Sequence, residues 1–309
     1  MTEERPAYAS FAYAQTLAHV GCAIDLPEWR TAMVLRDIPG APGQVDAMGP
    51  YPVCVLGQDA DIAAGLDALA KAGAVSVVLV ADQTVGLPPA DLATHFSLCR
   101  AFKTHHVIDR NAGPTGPSKH HRDRIRRGSR HATARLVYLA DPGWRAQWQH
   151  LYAGLVAKRG ITGLQAFPNS CFDALAQLPG QQLLAFAAEA SDGTVLAMQL
   201  WVRHGDCAYS HLTATSKAGY RVGATYVVYA AAIEHLAECR VLDLGGGAGH
   251  ADDPNDSLAA FKRGFANATT FTHLYGAVLD PARYAQLSGG HTSEFFPAYR
   301  GAMTLREAA

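Results

Sequence analysis

The sequence predicts a mixed α/β protein with two domains. The chain has 309 residues, more than the roughly 100 to 200 of an ordinary domain, and is 49% hydrophobic and 17% charged. Strand-like and helix-like segments alternate in both halves. A basic segment with two Gly-Pro turns separates the halves. We therefore expect domains at 1–125 and 126–309, each a mixed sheet flanked by helices.

The first half contains alternating strand and helix signals. β-branched and apolar runs predict strands, and an alanine-rich stretch after an acidic residue predicts a helix. The predicted strands are Thr31–Leu35, Pro52–Leu56 and Val75–Val80, and the predicted helices are Asp61–Ala72 and a short one near Pro89–Thr94.

The join between the halves reads DRNAGPTGPSKHHRDRIRRGSRH and is strongly basic. Such a run can hold the phosphates of tRNA or of a nucleotide-linked acceptor, because cations that neutralise phosphates drive this binding. The alternative is an exposed helix face with no ligand. The predicted phosphate-binding residues are Lys119, Arg122, Arg126 and Arg127.

The second half predicts a longer series of elements. The turn residues EASDG between two apolar runs indicate a hairpin. The predicted strands are Gln182–Ala188, Thr194–Arg203, Cys207–Thr213, Arg240–Leu244 and one near Thr270–Leu274. The predicted helices are Gly143–Lys158, Asn169–Leu178, Thr225–Ala237 and Ser257–Phe265, with ATSKAGYRVGA as a loop.

Composition excludes several classes of function. The six cysteines are at least 30 residues apart and no His-x-x-x-His pair occurs, so neither a metal site nor a tightly bound cofactor is predicted. A net charge of −1 argues against a protein that coats DNA. No apolar run approaches the roughly 18 residues of a membrane span, and MTEERPAYASF lacks an apolar signal core. We expect a cytoplasmic protein with no membrane partner.

The segment VLDLGGGAG matches Asp-x-Gly-x-Gly-x-Gly, which many methyltransferases use to hold S-adenosylmethionine. That loop normally follows the first strand of a doubly wound sheet, yet only 60 residues follow Gly249. No acidic residue stands about 20 residues later to hold a ribose, and DDPND replaces the start of the expected helix. A methyltransferase remains an alternative that requires a permuted topology.

The order of segments in the second half carries a family resemblance. Strand CAYSHLTAT, loop SKAGYRVGA, helix TYVVYAAAIEHLAE, strand CRVLDLGG and helix DSLAAFKRGF resemble the last part of Fem-type and related GNAT-like acyltransferases. The segments KHHRDRIRRGSR and HLYAGLVAKRGITG are similar to the same family, so the likeness covers residues 118–300. It implies two tandem GNAT-like domains that move an acyl group from acyl-CoA or aminoacyl-tRNA, as cosubstrate, to an amine.

The predicted activity is therefore N-acyl transfer to a small-molecule or nucleotide-linked amine in a biosynthetic pathway. Besides the methyltransferase, a non-catalytic GNAT-like binding module is an alternative. Some observations favour one acyl donor and some favour the other. The doubled architecture and the basic join favour aminoacyl-tRNA, whereas the near-neutral charge and the lack of a long tRNA-binding arm favour acyl-CoA.

Lys262 is the first candidate catalytic residue. An amine that attacks a thioester or ester generates an oxyanion, which a cation near the carbonyl stabilises. The resemblance gives Phe261 and Lys262 this place, in the setting Phe-Lys-x-Gly-Phe. The alternative is that Lys262 and Arg263 are exposed helix charges.

Two further residues are candidates for handling the proton of the amine. Asp243 ends a predicted strand and can orient or deprotonate an amine, or can cap the glycine turn instead. His211 is expected on one strand face with Tyr209 and Thr213, either as a base in a cleft or as a core histidine. His250 is a weaker candidate.

The segment GYRVGAT precedes the long helix where acetyl-CoA-binding GNAT proteins usually carry Arg/Gln-x-x-Gly-x-Gly/Ala. Measured from Gly223, the basic position holds Tyr220 and the last small position holds Thr225, which weakens acyl-CoA as donor. A plain turn is the alternative, with Tyr226 in the core. The predicted donor-binding residues are Gly219, Arg221, Gly223, Ala224 and Tyr226.

Overall fold

A computed structural model describes residues 5–86, 89–179, 182–248, 253, 255–289 and 295–304. Its strands are β1 (Cys22–Leu26), β2 (Thr31–Asp37), β3 (Val45–Met48), β4 (Ala74–Ala81), β5 (Leu98–Asp109), β6 (Thr133–Val137), β7 (Leu183–Glu189), β8 (Val195–His204), β9 (Cys207–Thr215), β10 (Val241–Asp243) and β11 (Ala268–Val278). Its α-helices are α1 (Phe11–Gln15), α2 (Ile62–Lys71), α3 (Pro89–Ala93), α4 (Lys119–Gly128), α5 (Pro142–Arg159), α6 (Asn169–Leu175), α7 (Lys217–Val222), α8 (Ala224–His235), α9 (Ser257–Arg263), α10 (Pro281–Ser288) and α11 (Ala298–Thr304).

The chain forms two compact units. Unit 1 combines Met1–Phe102 with Thr272–Ala309, and unit 2 is Lys103–Phe271. The chain passes from one unit to the other within β5 and again at β11. Each unit contains strands paired in both senses together with helices, so the predicted mixed α/β class is confirmed.

The strands of unit 1 pair in the order β1, β2, β3, β4, β11. The β3–β4 pair is parallel, and the other three pairs are antiparallel. Trp29 is fully buried in the core, and its indole N–H donates to the Ile62 carbonyl at 3.2 Å. A Cβ at Gly65 would lie 1.9 Å from Trp29 Nε1, so this turn of α2 requires glycine.

A buried carboxylate fastens the C-terminal helix of unit 1. Asp46 on β3 accepts from Arg36 Nε at 2.8 Å, from the Tyr299 hydroxyl at 3.0 Å and from Arg300 Nη2 at 3.0 Å. Arg300 Nη2 also donates to the Asp37 carbonyl at 2.8 Å. Because the partners come from β2 and α11, this one carboxylate ties together segments that are more than 250 residues apart in sequence.

The strands of unit 2 pair in the order β5, β10, β9, β8, β7, β6. Only the β10–β9 pair is parallel. The β8–β9 register shifts between Leu200, which lies opposite Leu212, and Trp201, which lies opposite Ser210. His211 therefore stands in a β-bulge, where one strand has one residue more than its partner.

Helix α8 and helix α5 cover the sheet of unit 2. Helix α8 contacts β6, β7 and β8, and α5 contacts β8 and β9. Asp141 caps the N-terminus of α5, and Gly160 ends it in the left-handed conformation. Helix α4 packs on α8, and Gly128 makes this possible because a Cβ there would lie 2.7 Å from Val227.

Most predicted elements are present, with three differences. The predicted strand Pro52–Leu56 is reduced to a single bridge between Cys54 and Ala81. The predicted loop after β9 contains helix α7, which begins at its N-cap Ser216. Strands β1, β3, β5 and β6 and helices α1, α10 and α11 were not predicted; most of them are short or contain polar residues that interrupt an apolar pattern.

The two compact units also differ from the predicted division at 125/126. The antiparallel pairing of His273–Val278 with β4 draws the C-terminal segment into unit 1. The basic join is not a linker but helix α4 within unit 2, where Ser118 caps it.

Two kinds of feature are absent from the residues that the structure describes. In that part of the chain, no helix is both long and apolar enough for a membrane span. The same residues contain no group of three or more His, Cys, Asp or Glu side chains arranged to hold a metal ion.

Candidate active site

A glycine turn follows the buried central strand β10 of unit 2, and Asp243 ends that strand. One Asp243 oxygen accepts the Gly245 N–H at 2.7 Å, and the other lies 2.8 Å from His105 Nδ1 on β5. Gly245 has a φ of +79°, a conformation that glycine adopts without strain. The turn therefore begins with a carboxylate whose two oxygens both have a fixed partner.

The charge of Asp243 is set by opposing effects. Burial by itself raises the pKa of this carboxyl, but the charge and hydrogen bond of His105, the Gly245 N–H and the charge of Lys262 together hold the pKa below its ordinary value. Asp243 is thus ionised at neutral pH and acts only as an acceptor. Because the carboxylate can only accept, His105 must direct an Nδ1–H at it.

Lys262 reaches the same turn from α9. Its ammonium donates to the Gly246 carbonyl at 2.7 Å. A Cβ at Gly245 would lie 2.9 Å from this nitrogen, so the glycine makes room for the ammonium. Burial lowers the pKa of Lys262 to about 8, although Asp243 and Asp256 act in the opposite direction.

Lys103 and Asp256 complete the set of side chains around the turn. Lys103 Nζ donates to the Gly247 carbonyl at 2.7 Å, and Asp256 accepts the Leu258 N–H at 2.8 Å and the Ala248 N–H. A Cβ at Gly247 would lie 2.0 Å from Asp256. The chain's own side chains fill the space around these glycines, which argues against the methyltransferase alternative.

This arrangement suits the stabilisation of a developing negative charge. The Lys262 ammonium has three N–H donors, and Gly246 is the only acceptor it has among the described residues. Two donors are therefore available to an oxyanion. A partly buried ammonium is also more effective than an exposed one, because low dielectric strengthens its field.

Phe261 supports this lysine from inside the unit. Its ring lies 4.9 Å from the rings of both Tyr226 and Tyr229, and Phe265 is 5.4 Å away. The predicted catalytic Phe261 thus packs in an aromatic cluster on α8. Its contacts indicate that it fixes the position of α9, and with it Lys262.

His121 is a second support of α9 that the sequence did not reveal. Its Nε2 donates to the Phe261 carbonyl at 2.8 Å, and its Nδ1 accepts from the Ser118 hydroxyl at 3.1 Å. The ring lies directly over Gly264, where a Cβ would be 2.0 Å away. Burial lowers the pKa of His121, which keeps the ring neutral for this pair of hydrogen bonds.

His211 lies in the β9 bulge and is buried. Its ring is 6.5 Å from that of Phe167, and burial lowers its pKa to about 3. The expected common face with Thr213 is wrong, since the Thr213 hydroxyl and that of Ser210 both contact Tyr229 on α8. The bulge changes the alternation that the prediction assumed. Such a weak base is poorly suited to take a proton from an amine.

The predicted donor-binding residues fall around the α7–α8 junction, where most of them serve packing. A Cβ at Gly219 would lie 2.2 Å from the Leu196 carbonyl, and Ala224 belongs to the core. Gly223 has a φ of +79° and joins the two helices. The Tyr226 ring lies 5.4 Å from the Arg124 guanidinium, and Arg221 is exposed.

The predicted phosphate-binding residues all lie on helix α4 and are exposed. Arg122 donates to the Pro117 carbonyl, and Arg126 forms an exposed ion pair with Asp123 at 2.8 Å. The basic surface belongs to the same unit as the glycine turn. The four residues are Lys119, Arg122, Arg126 and Arg127.

His250 lies outside the described residues. Sequence reasoning also missed His105 and Lys103, although both stand at alternate positions of one strand. Their spacing is the signal that could have placed them on one face, had β5 been predicted.

The domain around this turn has a known family. The sequence profile described as "Acetyltransferase (GNAT) domain" matches residues 119–263, which lie within unit 2. This part of unit 2 is therefore a GNAT-type domain. No curated protein matches the sequence.

Solved structures extend the likeness in fold to both units. The C-terminal domain of a protein assigned as lysylphosphatidylglycerol synthetase from Agrobacterium fabrum has a TM-score of 0.58 at 17% identity, over 90% of this chain and 89% of that chain. FemX has a TM-score of 0.56 at 11% identity, over 82% and 86%. L-PGS from Bacillus licheniformis has a TM-score of 0.58 at 10% identity, over 88% and 94%.

These findings confirm the predicted resemblance to GNAT-superfamily, Fem-like proteins. At such identities the likeness concerns the fold alone. The roles of Lys262, Asp243 and the other site residues stay predictions.

Proposed function

We propose that this protein is an N-acyltransferase whose reaction takes place at the glycine turn after β10. The observation that carries the proposal is the Lys262 ammonium, held at 2.7 Å from the Gly246 carbonyl beside the buried Asp243 carboxylate. A cation placed in this way in a GNAT domain supplies the electrostatic stabilisation that acyl transfer needs.

The chemical step follows from this geometry. The acceptor amine attacks the carbonyl carbon of the donor, and a C–N bond forms while the carbonyl oxygen gains negative charge. The two remaining N–H donors of Lys262 stabilise that oxygen. Collapse of the intermediate breaks the bond to the leaving sulfur or oxygen, which departs with its electron pair, and the amine gives up a proton.

Aminoacyl-tRNA is the donor that we place first. Five exposed cations on or directly after α4 supply a surface for phosphates, which the −1 net charge of the whole chain conceals. The α7–α8 junction supports the same choice, since the packing of Gly219 and Ala224 leaves little backbone for a pyrophosphate. Acyl-CoA is the second candidate, because the N-terminus of α8 has no side-chain cap.

The activity test compares two neighbouring cations of α9. Lys262→Met removes the partly buried ammonium, whereas Arg263→Met removes an exposed charge one residue away. Each protein is mixed with acetyl-CoA or total aminoacyl-tRNA and with lysine, putrescine or a nucleotide-linked amino sugar as amine probes, and the amide product is measured by mass spectrometry. We expect Lys262→Met to lower kcat about 10²- to 10³-fold and Arg263→Met to leave it unchanged.

Equal rates for the two variants would remove Lys262 from the mechanism. Absence of amide with every donor and amine would favour the binding-module alternative. Methylation of a probe with S-adenosylmethionine would revive the methyltransferase alternative. Phosphatidylglycerol is included as a hydroxyl acceptor because it occurs in the name of one fold relative. An ester product would show that the acceptor group is a hydroxyl and not an amine.

The donor test uses ribonuclease and salt. Ribonuclease treatment of the aminoacyl-tRNA should abolish transfer, and the affinity for tRNA should fall steeply with salt. Arg127→Ala should reduce that salt dependence by about one phosphate contact. His150→Gln, at an exposed position of α5, should leave it unchanged. If turnover survives ribonuclease, acyl-CoA takes the place of aminoacyl-tRNA.

A further inference from the structure

We propose that His105 is the base that receives the proton of the attacking amine, and that Asp243 is the positioning residue that holds its ring. The inference deepens the proposed function and rests on it. It assigns the proton to a residue on a strand that belongs to neither the Phe-Lys segment nor the glycine turn.

The register of the sheet brings the two residues together. Strand β10 is antiparallel to β5, and Asp243 lies opposite Val107. His105 is two residues further along β5, so its side chain projects from the same face as that of Val107. The His105 Nδ1 and Asp243 Oδ2 atoms are 2.8 Å apart, which fixes the plane of the ring.

The carboxylate is itself immobilised. Its other oxygen accepts the Gly245 N–H at 2.7 Å, so neither oxygen is left to approach a substrate. With Nδ1–H given to Asp243, the lone pair of the imidazole is on Nε2. The His105 side chain is 12% exposed against 6% for Asp243, so the imidazole is the more accessible side chain of the pair.

The two predicted candidates are less suitable bases. Asp243 is held in its ionised form by its partners, which lower its pKa and hence its affinity for a proton. His211 has a pKa of about 3, because burial disfavours its imidazolium. His105 combines a carboxylate partner, which stabilises the protonated ring, with a nitrogen that is not bound to that partner.

The charges around His105 come from three directions. Asp243 on β10 is in direct contact with the ring, and Lys103 on its own strand and Lys262 on α9 bind carbonyls of the glycine turn. Asp256 lies at the N-cap of α9. Tyr209 on β9 lies opposite Asp243 in the sheet. The charged group that contacts the imidazole is therefore the Asp243 carboxylate.

In this step His105 carries the proton from the amine to the leaving atom. The amine nitrogen forms its bond to the acyl carbon, and its proton passes to His105 Nε2. The bond between the acyl carbon and the leaving sulfur or oxygen breaks, and the leaving atom takes the electron pair. His105 then returns the proton to that atom, so the base is restored and no other reactant is required.

The test compares His105→Gln with His150→Gln, a change of an exposed histidine on α5. Two acceptors are used: putrescine, which is protonated at neutral pH, and methoxyamine, which is not. We expect His105→Gln to lower transfer to putrescine about 10²- to 10⁴-fold and transfer to methoxyamine less, while His150→Gln changes neither. Imidazole in solution should partly restore His105→Ala, and circular dichroism should show that the variants are folded.

Asp243→Asn supplies a second readout. It retains an oxygen for the Gly245 N–H but removes the charge that fixes the His105 tautomer, so the acidic limb of kcat/KM against pH should shift. That limb should be absent in His105→Gln. The inference is overturned if the limb persists in His105→Gln, if both acceptors lose rate equally, or if imidazole restores nothing.

Failure of the inference can be told from failure of the proposed function. If the wild type forms amide and Lys262→Met loses it while His105→Gln does not, only the role of His105 is wrong. If the wild type forms no amide with any donor and amine, both proposals fail together.

Discussion

Asp46 in unit 1 and Asp243 in unit 2 are both buried carboxylates on strands, but their partners differ. Asp46 is bound by two guanidinium groups and a phenol, from Arg36, Arg300 and Tyr299. Asp243 is bound by an imidazole and a backbone N–H, with an ammonium nearby. Guanidinium groups keep their charge at every pH at which the protein is folded, whereas imidazole and ammonium groups exchange protons.

This difference in partners indicates that Asp46 has a structural role and that Asp243 has a chemical one. The partners of Asp46 join the C-terminal helix to the sheet, and all of them are directed at the carboxylate. Around Asp243 the carboxylate orients His105, while Lys262 retains donors for another group. Unit 2 is thus the place where substitution should affect turnover, and unit 1 the place where it should affect folding.

The largest expected effect on folding is that of Asp46→Ala. Removing this carboxylate leaves Arg36 and Arg300 without their partner in a buried setting, so the free energy of unfolding should fall by about 3–5 kcal/mol. Urea denaturation measures it. The control is Asp59→Ala, which breaks an exposed pair with Arg30 and should cost less than about 1 kcal/mol. Similar losses in the free energy of unfolding for the two variants would show that the Asp46 cluster stabilises the protein no more than an exposed ion pair does.

Two glycines test the same contrast at a smaller scale. Gly65→Ala would press a Cβ against the fixed Trp29 ring, and we expect a loss of about 1–3 kcal/mol in stability. Gly247→Ala would meet Asp256, which caps α9, so stability should fall by only about 1 kcal/mol. Because α9 carries Lys262, kcat should fall much further in Gly247→Ala. The opposite ranking in thermal melts and turnover would contradict the division between the units.

The subtlest readout is a pH dependence of stability from Lys262, because it appears only as a difference between two slopes. Its pKa is about 8 in the folded protein against an ordinary value of 10.5. Between these values the unfolded chain retains a proton that the folded chain has released, so the free energy of unfolding rises with pH. Denaturation of the wild type and of Lys262→Met across pH 8 to 10.5 should show that this rise is smaller in the variant. Identical slopes would mean that Lys262 has an ordinary pKa.

Much of the fold could be predicted because the apolar patterns of β4, β7, β8 and α8 are regular. Strand β5 escaped prediction since its sequence LCRAFKTHHVID is largely polar. Lys103 and His105 contact the charged turn, and only Val107 and Ile108 at the end of the strand belong to the buried apolar residues, so the pattern that marks buried strands is weak there. The base that we propose was missed for the same reason.

The candidate site could be predicted only in part. The Phe-Lys pair and Asp243 are close to each other in the chain, and the family resemblance indicated both. Lys103 and His105 meet the turn from about 140 residues away, a contact that only the pairing of β5 with β10 creates. The bulge at His211 likewise depends on the partner strand, and no local signal marked it.

The measurement that tests the central claim most directly is the alkaline limb of amide formation. With methoxyamine as acceptor, the wild-type rate should fall as the pH rises through about 8, because the Lys262 ammonium loses its proton there. Lys262→Arg should retain the charge and keep its rate above that pH. The same alkaline limb in the wild type and in Lys262→Arg would contradict the account, since the titrating group would then not be the lysine beside Asp243.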